Sequence, residues 1–134
     1  KKEEVLKLVD LDISLLNKFP SQLSGGQIQR IVIAIALSRN IKLLLLDEPT
    51  TALDEENKTN IINLINDLKS RLNILILFVT HDIESIKDIC NEIIILKDGQ
   101  VIEKGFTIDV LSTPKEDYTK KLINSTFKNK QFRN

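Results

Sequence analysis

The chain has 134 residues, of which 42% are hydrophobic and 28% are charged, so its composition is that of a globular protein and excludes general disorder. Its 19 basic residues balance 19 acidic residues, and no net charge draws the protein to nucleic acid or to an anionic membrane surface. Every apolar run is far shorter than the roughly 18 to 20 residues that cross a bilayer, and no signal peptide is visible. We therefore expect a cytosolic chain. Any anion-binding site in it should depend on a few neighbouring residues and not on the net charge of the protein.

Two residue counts add to these limits. The sequence contains no methionine, so Lys1 is not expected to be the translated start, and the chain is expected to be part of something longer. The single cysteine, Cys90, excludes an internal disulfide and a site with several cysteine ligands. Because Cys90 lies in a helical pattern of isoleucines, we expect it to be a small buried hydrophobe.

The first forty residues are predicted to be helical. Apolar residues at helical spacing predict a short amphipathic helix over residues 1–9, followed by a less regular one over residues 11–16. Ser24 and Gln27 form the pattern of a capping box, which opens a helix that runs to about Arg39. This helix is apolar almost all round and is therefore expected to be well buried.

The remainder of the chain alternates strands and helices. The leucine run over residues 42–47 does not alternate with polar residues, which predicts a parallel strand covered on both faces. The other predicted elements are a helix at 55–68, a strand at 74–80, a helix at 81–90, a hairpin of 92–96 and 101–103, a short helix near Leu111, a helix at 116–125 and a frayed end at 128–134. This order predicts a doubly wound α/β fold.

Residues 24–27 admit two interpretations. Ser24 and Gln27 could simply cap a helix, since this pattern is common before an apolar run. The two adjacent glycines, Gly25 and Gly26, favour a site where a phosphate group approaches bare backbone N–H groups at the positive end of a helix. We favour the phosphate site, because capping requires no second glycine.

Asp47 ends the strand predicted over residues 42–47, and Glu48 follows it directly. The simpler interpretation is a strand that ends in solvent before a turn at Pro49. The functional one is that the carboxyl end of a strand in an open α/β sheet presents Asp47 to Mg²⁺ and Glu48 to an attacking water. His81, the only histidine, directly follows the next predicted strand, where it could hydrogen-bond a terminal phosphate or the water rather than being incidental.

From about Phe19 to Gly105 the sequence resembles the second half of the nucleotide-binding domain of ATP-binding-cassette (ABC) ATPases. Four motifs occur in the family's order and spacing: the signature at Leu23–Gln27, Walker B at Leu43–Glu48, the D-loop at Ala52–Asp54 and the switch histidine His81. The resemblance implies a partial P-loop NTPase (RecA-like) parallel-sheet core. It divides the chain into the end of the helical subdomain (1–23), the second half of the ATPase core (24–105) and a helical tail (106–134).

The resemblance also implies roles for individual residues. Asp47 would position Mg²⁺, Glu48 would be the catalytic base, and His81 would contact the phosphate or the water. A γ-phosphate of ATP held by a second nucleotide-binding domain would be bound by Ser24, Gly25, Gly26 and Gln27. The D-loop, with Asp54, would cross the interface between the two domains, although Asp54 also suits a plain helix cap.

Three stretches narrow the resemblance to one group of transporters. The importers of peptides or nickel are resembled by Phe19–Leu23, by Thr50–Asp54 and by the tail motif, Pro114 followed by Tyr118–Leu122, although Glu116-Asp117 replace the usual histidine-proline. Such subunits hydrolyse ATP on the cytoplasmic face of the membrane, with transmembrane permease subunits and an extracytoplasmic substrate-binding protein as partners, and no nucleic acid is expected.

The phosphate-binding Walker A loop is not found in this sequence. The pattern G-x-x-x-x-G-K-[ST] does not occur, because none of Gly25, Gly26, Gly99 and Gly105 begins or completes it. The chain is therefore expected to hold half an active site and to be inactive alone. Two alternatives remain open, namely a non-catalytic ABC module and a soluble ABC-type ATPase that acts on ribosomes or DNA.

Overall fold

The computed structural model describes the backbone of residues 2–131 and the side chains of residues 2–126. Its helices and strands are, in order, α1 (Lys2–Leu8), two 3-10 turns (Ile13–Asn17 and Pro20–Gln22), α2 (Gly25–Leu37), β1 (Leu43–Asp47), α3 (Glu55–Arg71), β2 (Leu75–Val79), α4 (Ile83–Ile86), β3 (Glu92–Lys97), β4 (Gln100–Phe106), α5 (Thr107–Ser112) and α6 (Asp117–Gln131). They form two compact units, Lys1–Thr80 and His81–Asn134. Of the expected frayed end at 128–134, residues 128–131 belong to α6, and residues 132–134 lie outside the described residues.

A parallel pair of strands forms the sheet of the first unit. β1 pairs with β2 from Leu43 opposite Leu75 to Asp47 opposite Val79, which confirms the predicted parallel arrangement. The helix α3 contributes four buried residues at helical spacing to the core of this unit: Ile61, Leu64, Ile65 and Leu68. The carboxyl ends of β1 and β2 lie side by side, at the edge where such sheets present ligand-binding residues.

The prediction that β1 is covered on both faces is wrong for the described residues. Leu44 and Leu46 are buried, whereas Leu43 is 52% exposed and Leu45 is 59% exposed. β2 repeats the pattern, because Leu75 and Leu77 on this strand are also exposed. Successive side chains of a strand point to opposite faces, so one face of this two-stranded sheet packs on the core and the other is apolar but uncovered.

The helix α2 is also less buried than its sequence predicts. Ile33, Ala34 and Leu37 are buried, but Val32 and Ile35 are each more than half exposed. Ile35 lines an open apolar cavity of about 570 Å³ together with residues of α1 and of the 3-10 turn at Ile13–Asn17. Burial of a helix depends on what packs against it, and α1 and α3 cover only part of the α2 circumference.

The second unit begins with a helix shorter than predicted. In place of a helix over residues 81–90, α4 ends at Ile86, and the Ile89 N–H donates to the Ile86 carbonyl (3.1 Å) in a turn. Ile83, Ile86 and Ile89 are nevertheless all buried. A short helix followed by a turn thus buries apolar residues at the same spacing as a continuous helix would. The sequence pattern could not distinguish the two.

The predicted hairpin is confirmed. β3 and β4 are antiparallel, with a bulge between Ile95 and Leu96, and β4 continues beyond its predicted end to Phe106. Asp98 and Gly99 at the tip have φ values of 50° and 75°. Positive φ at both central residues defines the tight turn whose twist matches that of paired strands, which is why Asp-Gly at this place is a strong sequence signal.

A carboxylate on β4 holds the start of the last helix. The Lys115 and Glu116 N–H groups, just before α6, donate to Glu103 Oε1 (3.0 Å) and Oε2 (3.2 Å). The Lys115 bond lowers the pKa of Glu103 below its ordinary 4.5. N–H groups at a helix start have no partner within the helix, so this carboxylate acts as a cap supplied by another element.

We expect Glu103→Gln to lower the unfolding midpoint of the second unit near neutral pH. Because folding lowers the pKa of Glu103, its contribution is fully present above about pH 4.5 and is lost as the pH falls through the folded value. Denaturant unfolding of the complete protein as a function of pH tests this, with Glu92→Gln at the start of β3 as the matched control. If the stability difference between wild type and Glu103→Gln stayed constant as the pH fell well below the ordinary pKa of glutamate, the capping role would be contradicted.

Candidate functional site

The start of α2 forms the capping box that its sequence predicts. The Gln27 N–H donates to Ser24 Oγ (3.2 Å), and the Ser24 N–H donates to Gln27 Oε1 (3.0 Å). The first backbone bond of the helix runs from the Ile28 N–H to the Ser24 carbonyl (2.9 Å). The N–H groups of Gly25 and Gly26 precede that bond. They belong to the first turn of the helix, where backbone N–H groups have no acceptor within the helix and can bind one from outside.

The two glycines differ in their surroundings. Gly25 is exposed, and a Cβ added to it would lie 3.2 Å from Leu53 Cδ2. Gly26 is buried, and a Cβ added to it would overlap the side-chain amide oxygen of Asn57 in the first turn of α3. Close packing of α2 on α3 is therefore a structural reason for a second glycine that the sequence interpretation missed, since Asn57 carries no motif of its own.

Asp54 caps α3, as the simpler sequence interpretation has it. Its Oδ1 accepts from the Asn57 N–H and its Oδ2 accepts from Asn57 Nδ2, both at 2.8 Å. These bonds, the backbone one first, lower the pKa of Asp54. The same Asn57 side chain thus contacts Gly26 and binds Asp54, so the start of α2 and the loop before α3 are joined through one residue.

Asp47 and Glu48 lie at the carboxyl end of β1. Asp47 is the last residue of the strand, pairs with Val79 and is exposed. The Glu48 N–H donates to the Val79 carbonyl (2.8 Å), and Glu48 then turns the chain with φ of 46°, in the left-handed region. Its Oε2 accepts a hydrogen bond from Thr51 Oγ1 at 2.5 Å. The strand end therefore presents one exposed carboxylate and one that is fixed by its surroundings.

The carboxylate at the end of β1 is compatible with a magnesium site whose remaining ligands are waters and phosphate oxygens. Within residues 2–131, no group of three or more histidine, cysteine, aspartate or glutamate side chains is placed to hold a metal ion. Mg²⁺ does not need such a group, because it is commonly held by one or two carboxylates, with waters and phosphate oxygens as the other ligands. The exposed Asp47 carboxylate at a strand end fits that mode of binding.

The first unit contains all but one of the residues assigned from sequence. Ser24, Gly25, Gly26, Gln27, Asp47, Glu48 and Asp54 belong to it, whereas His81 is the first residue of the second unit. His81 is exposed and immediately precedes Asp82, the N-cap of α4. The roles of these residues toward a nucleotide remain predictions, and the structure adds Asn57 and Thr51 as residues in direct contact with them.

Comparisons with known proteins point to one family. Residues 2–51 match the family model described as ABC transporter. The methionine import ATP-binding protein MetN of Bacillus subtilis (strain 168) is 43% identical over 120 residues, which are 90% of this chain and 35% of that protein. MetN of Lactococcus lactis subsp. lactis (strain IL1403) is 42% identical over 123 residues, 92% of this chain and 33% of that protein. The chain thus spans about a third of the length of the curated relatives it matches.

A solved structure agrees with these sequence matches. A putative metal-chelate type ABC transporter in an inward-facing conformation superposes with a TM-score of 0.79 at 30% identity, over 92% of this chain and 48% of that chain. The predicted α/β fold, part of a P-loop NTPase core, is confirmed by this match. The narrower resemblance to peptide or nickel importers is not supported, because the curated relatives are named for methionine import.

In the described part of the chain, no helix has both the length and the apolar character that a bilayer crossing requires.

Proposed function

We propose that this chain, which carries part of the ATP-binding domain of ABC transporters, serves ATP hydrolysis at a site shared with a second such domain. The observation that supports this most directly is the end of β1, where an exposed Asp47 and a fixed Glu48 are adjacent. In the complete protein, Asp47 would hold Mg²⁺, which would supply positive charge at the phosphates. Glu48 accepts a proton from the attacking water, and His81 hydrogen-bonds the phosphate or the water.

The start of α2 serves the nucleotide of the partner domain. Its exposed end offers the Gly25 N–H and a positive helix end to a γ-phosphate, whereas the Ser24 N–H already donates to Gln27 Oε1. Because Ser24 and Gln27 already hydrogen-bond each other, the cap of this helix is formed without any ligand. Asp54 lies in the segment that crosses to the partner domain. We also propose that the chain divides into the end of the helical subdomain (1–23), the second half of the ATPase core (24–105) and a helical tail (106–134).

The complete protein energises import across a membrane. The relatives named methionine import ATP-binding proteins favour transmembrane permease subunits as partners, a position on the cytoplasmic face of the membrane and an extracytoplasmic substrate-binding protein. Methionine is the substrate we favour. Peptides or nickel are the second candidate, supported by the resemblance of Phe19–Leu23, of Thr50–Asp54 and of the tail motif.

The tail motif is weak support for that second candidate because packing explains its residues. The Lys97 ammonium lies 5.1 Å from the centre of the Tyr118 ring, and Thr119 is fully buried. A tyrosine and a threonine at these positions thus fix α6 on the hairpin of the second unit. Residues that are required for packing carry little information about a transported substrate.

Magnesium dependence tests the proposed function. We expect the complete protein to hydrolyse ATP only with Mg²⁺, and Asp47→Asn to raise the Mg²⁺ concentration for half-maximal turnover about tenfold or more. Asp67→Asn, which removes an exposed carboxylate paired with Arg71 in α3, is the matched control. A complete protein without Mg²⁺-dependent turnover would instead favour a non-catalytic module, and an unchanged Mg²⁺ requirement in Asp47→Asn would contradict the metal assignment.

A further inference from the structure

We infer that Thr51 is a positioning residue, which holds the Glu48 carboxylate in the orientation needed to accept a proton from the attacking water. The inference rests on the proposed function, since it takes Glu48 as the base. It is carried by the hydrogen bond from Thr51 Oγ1 to Glu48 Oε2 (2.5 Å), which joins two side chains that are three residues apart.

The backbone of Glu48 is fixed, but a glutamate side chain is not fixed by its backbone. The Glu48 N–H is bound to the Val79 carbonyl of β2, and its φ of 46° places it in a region that glutamate rarely adopts. Between that backbone and the carboxylate lie several rotatable bonds. A contact to the carboxylate itself is therefore needed to set its direction, and the Thr51 hydroxyl supplies one.

The turn that carries Thr51 is itself anchored. Pro49 and Thr50 are buried, the Thr51 N–H donates to the Glu48 carbonyl (3.4 Å), and the Leu53 N–H donates to the Thr50 carbonyl (3.2 Å). Thr51 itself is exposed, so it adds little to the apolar core. The Thr51 hydroxyl is therefore well placed to orient the Glu48 carboxylate. Because the turn is already anchored, the backbone of Thr51 loses little conformational freedom when the bond forms.

The competing interpretation is that this bond merely closes a local turn, as threonine hydroxyls often do. The two interpretations differ in what removal of the hydroxyl should change. Loss of a turn bond lowers stability and affects all functions of the site together. Loss of a positioning bond lowers the rate of the chemical step, leaves ATP binding unchanged and has no further effect once Glu48 has lost its ability to act as a base.

The test uses the complete protein with Thr51→Val, which keeps the shape of threonine but removes the donor. We expect kcat to fall about tenfold while KM for ATP stays within about twofold. Thr51→Ser, which restores the hydroxyl, should recover most of kcat. Thr59→Val is the matched control, because Thr59 is an exposed threonine of α3 whose hydroxyl donates to the Glu55 carbonyl.

A double variant separates the positioning role from a structural one. In single-turnover measurements, adding Thr51→Val to Glu48→Gln should change the residual rate by less than about twofold. Rates are expressed per ATP-binding site, so a loss of folded protein in Thr51→Val does not imitate the effect. An unchanged kcat in Thr51→Val, an equal loss in Thr51→Ser, or a further loss of about tenfold in the Glu48→Gln background would each overturn the inference.

Failure of the inference and failure of the proposed function give different results. Normal turnover in Glu48→Gln would remove the base assignment and the inference with it. Loss of turnover in Glu48→Gln together with wild-type kcat in Thr51→Val would leave the proposed function intact and would overturn only the role of Thr51.

Discussion

Replacing Glu48 by glutamine in the complete protein should lower steady-state ATP turnover by about 10²- to 10⁴-fold and leave ATP binding intact. Glutamine keeps the size and the hydrogen-bonding oxygen of the side chain, so it can still accept from Thr51, but it cannot take up a proton from water. The loss should therefore appear in kcat and not in the affinity for ATP. Phosphate release and binding of a fluorescent ATP analogue measure the two quantities separately.

The matched control for this experiment is Glu56→Gln, an exposed glutamate in the first turn of α3. It removes the same charge from the same unit without touching the end of β1. Turnover close to wild type in Glu48→Gln would contradict the base assignment. A parallel loss of ATP binding would instead assign Glu48 to the structure of the nucleotide site.

Substitution of Gly26 by alanine should lower ATP turnover about 100-fold, because it displaces the start of α2 by the order of an ångström. The added Cβ meets the Asn57 side chain, which is held in place by the hydrogen bond from its Nδ2 to Asp54 Oδ2. We expect the free energy of unfolding to fall by about 1 to 2 kcal/mol, since overpacking outweighs the gain in helix propensity. Denaturant unfolding and ATP turnover of the complete protein measure both effects.

A second substitution shows whether packing alone is the reason for this glycine. In Gly26→Ala with Asn57→Ala, the nearest remaining atom of residue 57 is its Cβ, 3.5 Å from the added Cβ, which is an ordinary contact. The double variant should therefore match Asn57→Ala alone in stability and turnover. Asn57→Ala should not rescue Gly25→Ala, whose Cβ meets Leu53 instead. A double variant as inactive as Gly26→Ala would show that a ligand, not Asn57, requires the bare backbone.

Local features of the fold could be predicted from the sequence. The capping box of Ser24 and Gln27, the Asp98-Gly99 turn and the end of α2 before Asn40 all depend on residues that are close in the chain. Asn40 has φ of 51°, the left-handed conformation that commonly follows a helix. The parallel pairing of β1 and β2 also follows from the order of strands and helices.

Features set by distant residues could not be predicted in this way. A leucine run is compatible with burial on one face or on both, and only the neighbours of β1 decide that Leu43 and Leu45 are exposed. The contact of Gly26 with Asn57 joins two helices that are separated by a whole strand and its loops, and it leaves no local pattern. The bond from Thr51 to Glu48 is different, because the two residues are only three apart, but the motif identifies the carboxylate and not the hydroxyl that binds it.

The left-handed backbone of Glu48 affects any experiment that selects among all residues at this position. With φ of 46°, the local backbone favours glycine and asparagine over glutamate. A library screened for expression or heat resistance should therefore become enriched in glycine and asparagine, both of which lack a base. A library screened for turnover should retain glutamate. Opposite enrichment at one position would mark Glu48 as a residue that is kept for its chemistry at the expense of stability.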